Sequence, residues 1–331
     1  MTAPAAGPTP ADRARTRHRA RPRVAIATAD LTGLGVEDED LDRPELEAAF
    51  AGRAHLEFAR WDDPSVDWQA FDVVLLRSTW DYTRRLEEFL RWVDSTASVT
   101  LLLNDPGTVR WNSDKTYLGE LAAAGVPVVP TVYATSPDDV GRALREVTRL
   151  RGAAHLNGGG PSAAAAEVVV KPSVSAGSYL TGRFGPDDPG ARRLAEEILA
   201  AGRTVMIQPF VASVAERGEV AVVVFGGEPS HAARKGPILA SGGGFVGGSY
   251  VEDVTPVDLD ARLVAAATGV LDAHARLHPS STPLYARVDL IEGDDGELRL
   301  LELELIEPSL FLPCAPGAAA RFADAVLARL G

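Results

Sequence analysis

Val168-Val169-Val170-Lys171-Pro172-Ser173-Val174-Ser175-Ala176-Gly177-Ser178 is the stretch on which the organisation of this chain turns. A run of valines predicts a buried strand over 167–171. The strand ends on a lysine, and a loop of small residues follows. Such an arrangement can hold a phosphate from two sides, with the ammonium supplying charge and the loop, Ser178 included, supplying backbone N–H groups. The alternative is a lysine snorkelling beside a turn. The Gly-x4-Gly-Lys-Ser/Thr spacing of a Walker loop is absent.

Outward from this strand, the pattern alternates between strands and helices. Upstream, short apolar runs at Val24–Thr28, Leu56–Trp61, Val73–Leu76 and Thr100–Leu103 predict strands. Helical spacing falls between them at Pro44–Gly52 and Arg84–Val93, so the fold class is α/β, with a parallel sheet and crossover connections. The cluster Arg77-Ser78-Thr79-Trp80-Asp81-Tyr82 then lies at the carboxyl end of a strand, where open α/β sheets place ligands. Further on, helices are expected at Ser113–Ala124 and Pro137–Leu150, with a strand at Val128–Tyr133 between them and a Gly/Ala-rich insertion at 151–166. Beyond Lys171 come strands at 180–184, 204–208, 219–225, 229–234, 284–291 and 297–305. Helices are expected at 187–201, 258–276 and 317–330.

Composition narrows the function classes. The chain has 331 residues, 33 basic and 46 acidic, for a net charge of −13. That balance argues against nucleic acid as a partner. No apolar run approaches the roughly 20 residues that span a bilayer, so no membrane partner is expected. The single cysteine, Cys314, allows no intrachain disulfide and points to a reducing, cytoplasmic setting. Residues 1–22 carry arginines at 13, 15, 17, 19 and 21 without an apolar stretch, and are expected to be a disordered basic tail rather than a secretory signal. Only three of the 33 basic residues are lysine: Lys115, Lys171 and Lys235. Lysine offers a compact, flexible point charge that arginine does not.

Two charged pairs lie near the C-terminus. Arg287-Val288-Asp289 and Glu302-Leu303-Glu304 fall on successive strands, with the turn Glu292-Gly293-Asp294-Asp295-Gly296-Glu297 between them. Alternation puts Arg287 with Asp289, and Glu302 with Glu304, on one face. A hairpin would bring three carboxylates together, a donor set suited to Mg2+ beside nucleotide phosphates. The alternative is a solvated strand face. Gln208-Pro209-Phe210-Val211 ends another strand, with a proline expected to interrupt pairing and free backbone groups for an adenine edge. Glu216 and Glu219 follow, placed either to take ribose hydroxyls or as solvated loop acids.

In this order, the pieces resemble the ATP-grasp superfamily over roughly residues 24–330. Within it, the segments Arg77–Tyr82, Asn104-Asp105-Pro106 with Trp111-Asn112, Ser230–Lys235 and Glu302–Leu312 resemble the glutathione-synthetase-like branch that includes O-ureido-serine cyclo-ligase. The resemblance implies an N-terminal pre-ATP-grasp parallel-sheet domain at 23–111. Two α+β sub-domains, at 112–211 and 212–331, would follow and clamp the nucleotide. It implies an ATP- and Mg2+-dependent ligase, with Mn2+ as an alternative ion, that activates a carboxylate as an acyl phosphate and joins it to an amine. Lys115, Lys171, Ser178, Gln208–Val211, Glu216 and Glu219 would bind ATP, and Asp289, Glu302 and Glu304 would bind the metal. Arg234 and Arg287 would stabilise the transferring phosphoryl group, while Arg77, Ser78, Thr79, Asp81 and Lys235 would face the small-molecule acceptor. Trp80 and Tyr82 are expected to pack, and Glu307 is a further acid that would contact substrate or metal. Gly242–Gly248 would be a lid. The chain departs from the branch in two places: Glu304 stands where the family has asparagine, and Gly243-Gly244-Phe245-Val246 replaces a segment with an acid, Phe and Arg. Two other classes compete with a ligase: a nucleotide-binding protein without ligase activity, and a small-molecule kinase. A homodimer is left open.

Overall fold

The structure is a computed structural model that describes residues 21–30, 42–153, 167–177, 179–185, 188–236, 254–293 and 295–331. Ser178, the expected lid at Gly242–Gly248, most of the basic tail and most of the 151–166 insertion lie outside the described residues.

The first sheet is parallel throughout. It comprises β1 (Arg23–Thr28), β2 (His55–Arg60), β3 (Val73–Leu76) and β4 (Leu101–Leu103), in the order β2-β1-β3-β4. Helices α1 (Arg43–Phe50) and α2 (Leu86–Ala97) provide crossovers. Strand order reverses between β1 and β3, so the carboxyl end of β3, where Arg77 begins, borders a topological switch point.

A short helical pair follows, α3 (Pro106–Asn112) and α4 (Tyr117–Ala123). The expected helix at Ser113–Ala124 is thus shorter, and α3 precedes it. Asp105 caps α3 by accepting from the Thr108 amide at 3.1 Å, and Pro106 occupies the first turn. That Asp-Pro signal was legible in the sequence.

The second sheet runs β5 (Val132–Ala134), β8 (Val205–Pro209), β6 (Val168–Pro172), β7 (Gly182–Phe184), all antiparallel neighbours. Helices α5 (Pro137–Ala153) and α6 (Pro189–Ala200) cover one face. The strand expected at Val128–Tyr133 is split. Val128 bridges Leu300 of the third sheet, and only Val132 onward joins β8. Pro130 lies between the two parts and has no N–H to donate.

The third sheet is antiparallel in the order β11 (Val254–Val257), β10 (Glu228–Lys235), β9 (Glu219–Phe225), β12 (Tyr285–Glu292), β13 (Leu298–Glu304). Strand β11, absent from the sequence reading, carries Pro256 and sits at the edge, where proline is tolerated. Helices α7 (Ser213–Arg217), α8 (Ala261–Leu277) and α9 (Ala318–Ala328) complete the fold. One continuous apolar cluster joins Val24, Ile26 and Val73 of the first sheet to Ala221, Val223 and Tyr285 of the third, with Phe50 of α1 and Phe322 of α9 inside it. The first and third sheets are therefore packed as one body, and the site forms where the second sheet meets them.

Candidate active site

The β12–β13 hairpin places Asp289 opposite Glu302 and Arg287 opposite Glu304. Alternation leaves all four on one face, as the sequence spacing implied. Three buried side chains of the preceding segments hold the end of β13 in place. Asn104 donates to the Leu305 carbonyl at 2.7 Å, Asn112 donates to that of Leu303 at 2.8 Å, and the Tyr117 hydroxyl donates to Leu303 at 2.7 Å. Their positioning role was not read from the sequence, although two of them lie in the Asn104–Asn112 segment that carried the resemblance.

The three lysines converge on this face from different elements. The Lys115 ammonium lies 3.1 Å from Glu302 Oε1 and donates to the Ser175 carbonyl at 2.6 Å. Its own amide donates to Ser173, which ties it to the loop after β6. The Lys235 ammonium lies 2.6 Å from Asp289 Oδ2 and 2.8 Å from Glu219 Oε2. Lys171, on β6, makes no hydrogen bond or ion pair among the described residues. Burial lowers its pKa, reinforced by Lys115 and Lys235 and opposed by Glu302 and Glu219. Burial and two neighbouring cations thus disfavour its charge.

The acids are held unequally. Burial opposes the charge of Asp289, but Arg287, at 2.9 and 3.0 Å from its two oxygens, and Lys235 hold its carboxyl at about 2. Burial likewise opposes the charge of Glu302, and Lys115 and Lys171 keep it below the usual carboxylate range. Glu304 is pushed up to about 8 by burial and by Glu302 and Asp289, against the pull of Arg287, which donates to it. Each acid is thus closed by a cation. Among the described residues, no three acidic, histidine or cysteine side chains are spaced to hold a metal ion, so the expected set of Asp289, Glu302 and Glu304 is not assembled around one point.

The adenine segment differs from expectation in one respect. Pro209 does not interrupt pairing: it lies in register with Val168, and Phe210 donates its amide to Glu167 at 2.9 Å. A proline without an N–H fits there because the bond to β6 at this point is made by the Phe210 amide and not by residue 209. Gln208 is buried with its amide on Thr131 Oγ1 at 3.0 Å, and the Arg183 guanidinium lies 3.5 Å from the centre of the Phe210 ring. Val211 accepts from Val214 at 3.1 Å. Glu216 is exposed on α7, whereas Glu219 is drawn into the cleft by Lys235.

Three residues expected at the site make other contacts in this structure. Arg234 is one residue from Lys235 on β10, and alternation turns it to the opposite sheet face, where it donates to the Arg217 carbonyl. Arg77 is buried: its guanidinium pairs with Asp42 at 2.7 Å and donates to the Pro308 carbonyl at 2.5 Å. Asp81 accepts from the Trp61 indole at 2.8 Å and pairs with Arg85. In this structure both side chains are tied to other protein groups. Ser78 and Thr79 are also buried. His231 donates to or accepts from no catalytic group in the cleft; its Nε2 is 2.8 Å from the Leu310 carbonyl.

Comparison with known proteins bears on the family and the fold. Residues 24–104 match the family described as D-cycloserine synthetase DcsG, N-terminal domain. The cycloserine biosynthesis protein DcsG of Streptomyces lavendulae is 37% identical over 295 residues, 88% of this chain and 94% of its own. The chain belongs to the ATP-grasp ligases, on the D-cycloserine synthetase branch. It is accordingly an ATP-dependent carboxylate–amine ligase. The crystal structure of D-cycloserine synthetase DcsG superposes with a TM-score of 0.82 at 34% identity, covering 93% of this chain and 99% of that one. D-alanine–D-alanine ligase from Bacillus anthracis shares the fold at 15% identity, with a TM-score of 0.60 over 93% and 97% of the two chains.

On this ATP-grasp frame, the loop Glu307–Leu312 after β13 is the element that sequence reasoning undervalued. Its backbone is held from four sides. Trp80 donates its indole to Glu307 O at 3.1 Å, and Arg287 donates to Ser309 O at 3.3 Å. Arg77 holds Pro308, and Asp42 accepts from the amides of Leu310 and Leu312 at 2.7 and 2.8 Å. Phe311 adopts a positive φ of 49° within it, a conformation that side chains rarely take without such support.

Proposed function

We propose that the chain activates the carboxylate of a small amino-acid-type substrate with ATP and closes a C–N bond on it, with an O-ureido-serine as the first substrate to test. The observation that carries this reading is Lys171, a cation without a partner among the described residues, beside Lys115 and facing the Glu302 edge of the cleft.

In this reading, Lys115 and Lys171 hold the nucleotide phosphates, and the β8 end from Gln208 to Val211 holds the base. The oxygen donors of Glu302 and Asp289 fit a hard divalent cation, and they would hold Mg2+, or Mn2+, with Glu304 alongside. When bound, the ion supplies neutralisation of phosphate charge. Arg287, anchored through Asp289 and Glu304, would face charge that develops on the transferring group. Lys235 would leave its acids for substrate or phosphate. Among the described residues, no helix is long and apolar enough to cross a membrane. The lone cysteine supports a reducing, cytoplasmic setting.

An ADP-release assay tests the proposal, with ATP and Mg2+ supplied and O-ureido-D-serine compared with a panel of amino acids and amine donors. The expected result is ADP, free phosphate and a product whose mass shows the new C–N bond. A stable phosphorylated product without free phosphate would replace the reading with a kinase. ATP binding without ADP release for any acceptor would overturn it.

A further inference from the structure

Formation of a C–N bond from an acyl phosphate requires a proton to leave the attacking nitrogen, and none of the residues assigned above is placed to take it. The lysines and Arg287 are cations, and Asp289, Glu302, Glu304 and Glu219 are closed by them. Among the described residues, one further acid borders the cleft. Glu307 follows β13 by three residues and is buried, 9% exposed, where the first sheet meets the third. Its carboxyl group lies beside the Tyr82 hydroxyl. Its main chain is fixed by the Trp80 indole. Both aromatic residues come from the Arg77–Tyr82 segment, and Tyr82 is itself fixed by stacking on Phe89 at 4.8 Å between ring centres. The neighbouring loop residues are tied by Arg77, Asp42 and Arg287, so the carboxylate stands on a backbone with little freedom.

We infer that Glu307 is the general base of the ligation step, with Tyr82 and Trp80 as its positioning residues. The inference rests on the ligase reading above. As the nitrogen attacks the acyl carbon, its proton passes to a Glu307 oxygen and the N–C bond forms. The bond from the acyl carbon to the phosphate oxygen then breaks, and inorganic phosphate leaves with the electron pair. Glu307 ends the step neutral and returns its proton to solvent. The charged and titratable groups facing it are Tyr82 from the first sheet's segment, Lys115 from the α3–α4 turn, Glu302 from β13 and Tyr285 from β12. Burial, with Glu302, raises its pKa to about 7 against the opposing effects of Lys115 and Tyr82. A base matched to neutral pH takes and returns a proton most efficiently.

The test separates the two half-reactions. Full-length wild type and Glu307→Gln are given ATP, Mg2+ and O-ureido-D-serine, with and without hydroxylamine, which attacks an acyl phosphate without a base and leaves a hydroxamate. The variant is expected to form hydroxamate within about threefold of wild type and to lose the natural ligation by about 10²–10⁴-fold. In wild type, kcat should fall below pH 7, and Glu307→Asp should retain that acid limb at a lower rate. Equal loss of hydroxamate and ligation in a Glu307→Gln protein that melts like wild type would overturn the base assignment alone. So would an unchanged rate. Wild type that makes neither ADP nor hydroxamate would overturn the ligase reading and the base with it.

Discussion

Arg77 and Asp42 form a buried ion pair, 2.7 Å long, with side chains 1% and 3% exposed. Asp42 also accepts the amides of Leu310 and Leu312, and Arg77 donates to Pro308. The pair therefore locks the start of α1 and the end of β3 onto the loop that carries Glu307. Removing one partner leaves the other as an uncompensated buried charge. Arg77→Met or Asp42→Asn is expected to cost about 3–5 kcal/mol, measured by denaturant unfolding. The double substitution should cost less than the sum of the two. Additive costs would show that the two side chains act independently.

The lysines predict opposite stability effects from the same substitution. Lys171 is partly buried without a partner among the described residues, so Lys171→Met removes an unfavourable charge from the cleft. Tm should be unchanged or raised, while ATP affinity falls at least tenfold. Lys115 neutralises Glu302 and bonds the Ser175 carbonyl. Lys115→Met should lower Tm as well as ATP affinity, by about 1–3 kcal/mol. Thermal melts with and without ATP check both. A lower melting temperature for Lys171→Met than for Lys115→Met would contradict the assignment.

Gly218 joins α7 to β9 at φ 68° and ψ −167°, a region closed to side chains. A Cβ there would come within 2.2 Å of the Lys235 carbonyl oxygen. Gly218→Ala must therefore push apart the first pair of β9 and β10, Glu219 and Lys235. We expect a loss of about 2 kcal/mol or more and a weakened Glu219–Lys235 contact. Equilibrium unfolding measures the first, and crystallography of the variant the second.

The sequence was most informative where periodicity alone fixes geometry. Strand alternation placed Asp289, Glu302, Arg287 and Glu304 on one face, and a valine run ending on lysine located Lys171. It was least informative where polar residues could serve either as ligands or as braces. Arg77 and Asp81 follow the carboxyl end of a strand, yet their partners Asp42, Trp61 and Pro308 lie from 20 to 231 residues away. No local pattern announces such a partner. Arg234 lies beside Lys235 in the Ser230–Lys235 segment, but adjacent strand residues face apart, and it reaches the Arg217 carbonyl. Glu307 carries no motif of its own, and its setting depends on the fold of two sheets.

A last prediction concerns His274, on α8. It is 1% exposed, neither ring nitrogen has a partner among the described residues, and Trp111 and His278 pack on it at 5.1 and 5.0 Å between ring centres. Burial, with His278 adding like charge and Asp105 opposing it, lowers its pKa to about 4. An unfolded chain binds the proton near pH 6.5. Between these values, the unfolded state holds more protons, so stability must rise with pH. The contribution is complete above pH 6.5 and lost as pH falls through 4, amounting to about 3 kcal/mol. Other carboxylates titrate in the same range, but they are common to wild type and His274→Gln. The difference between the two unfolding curves isolates the histidine. It should slope across pH 6.5 to 4 and level off on either side; a flat difference would mean that His274 binds its proton as readily in the folded protein as in the unfolded chain.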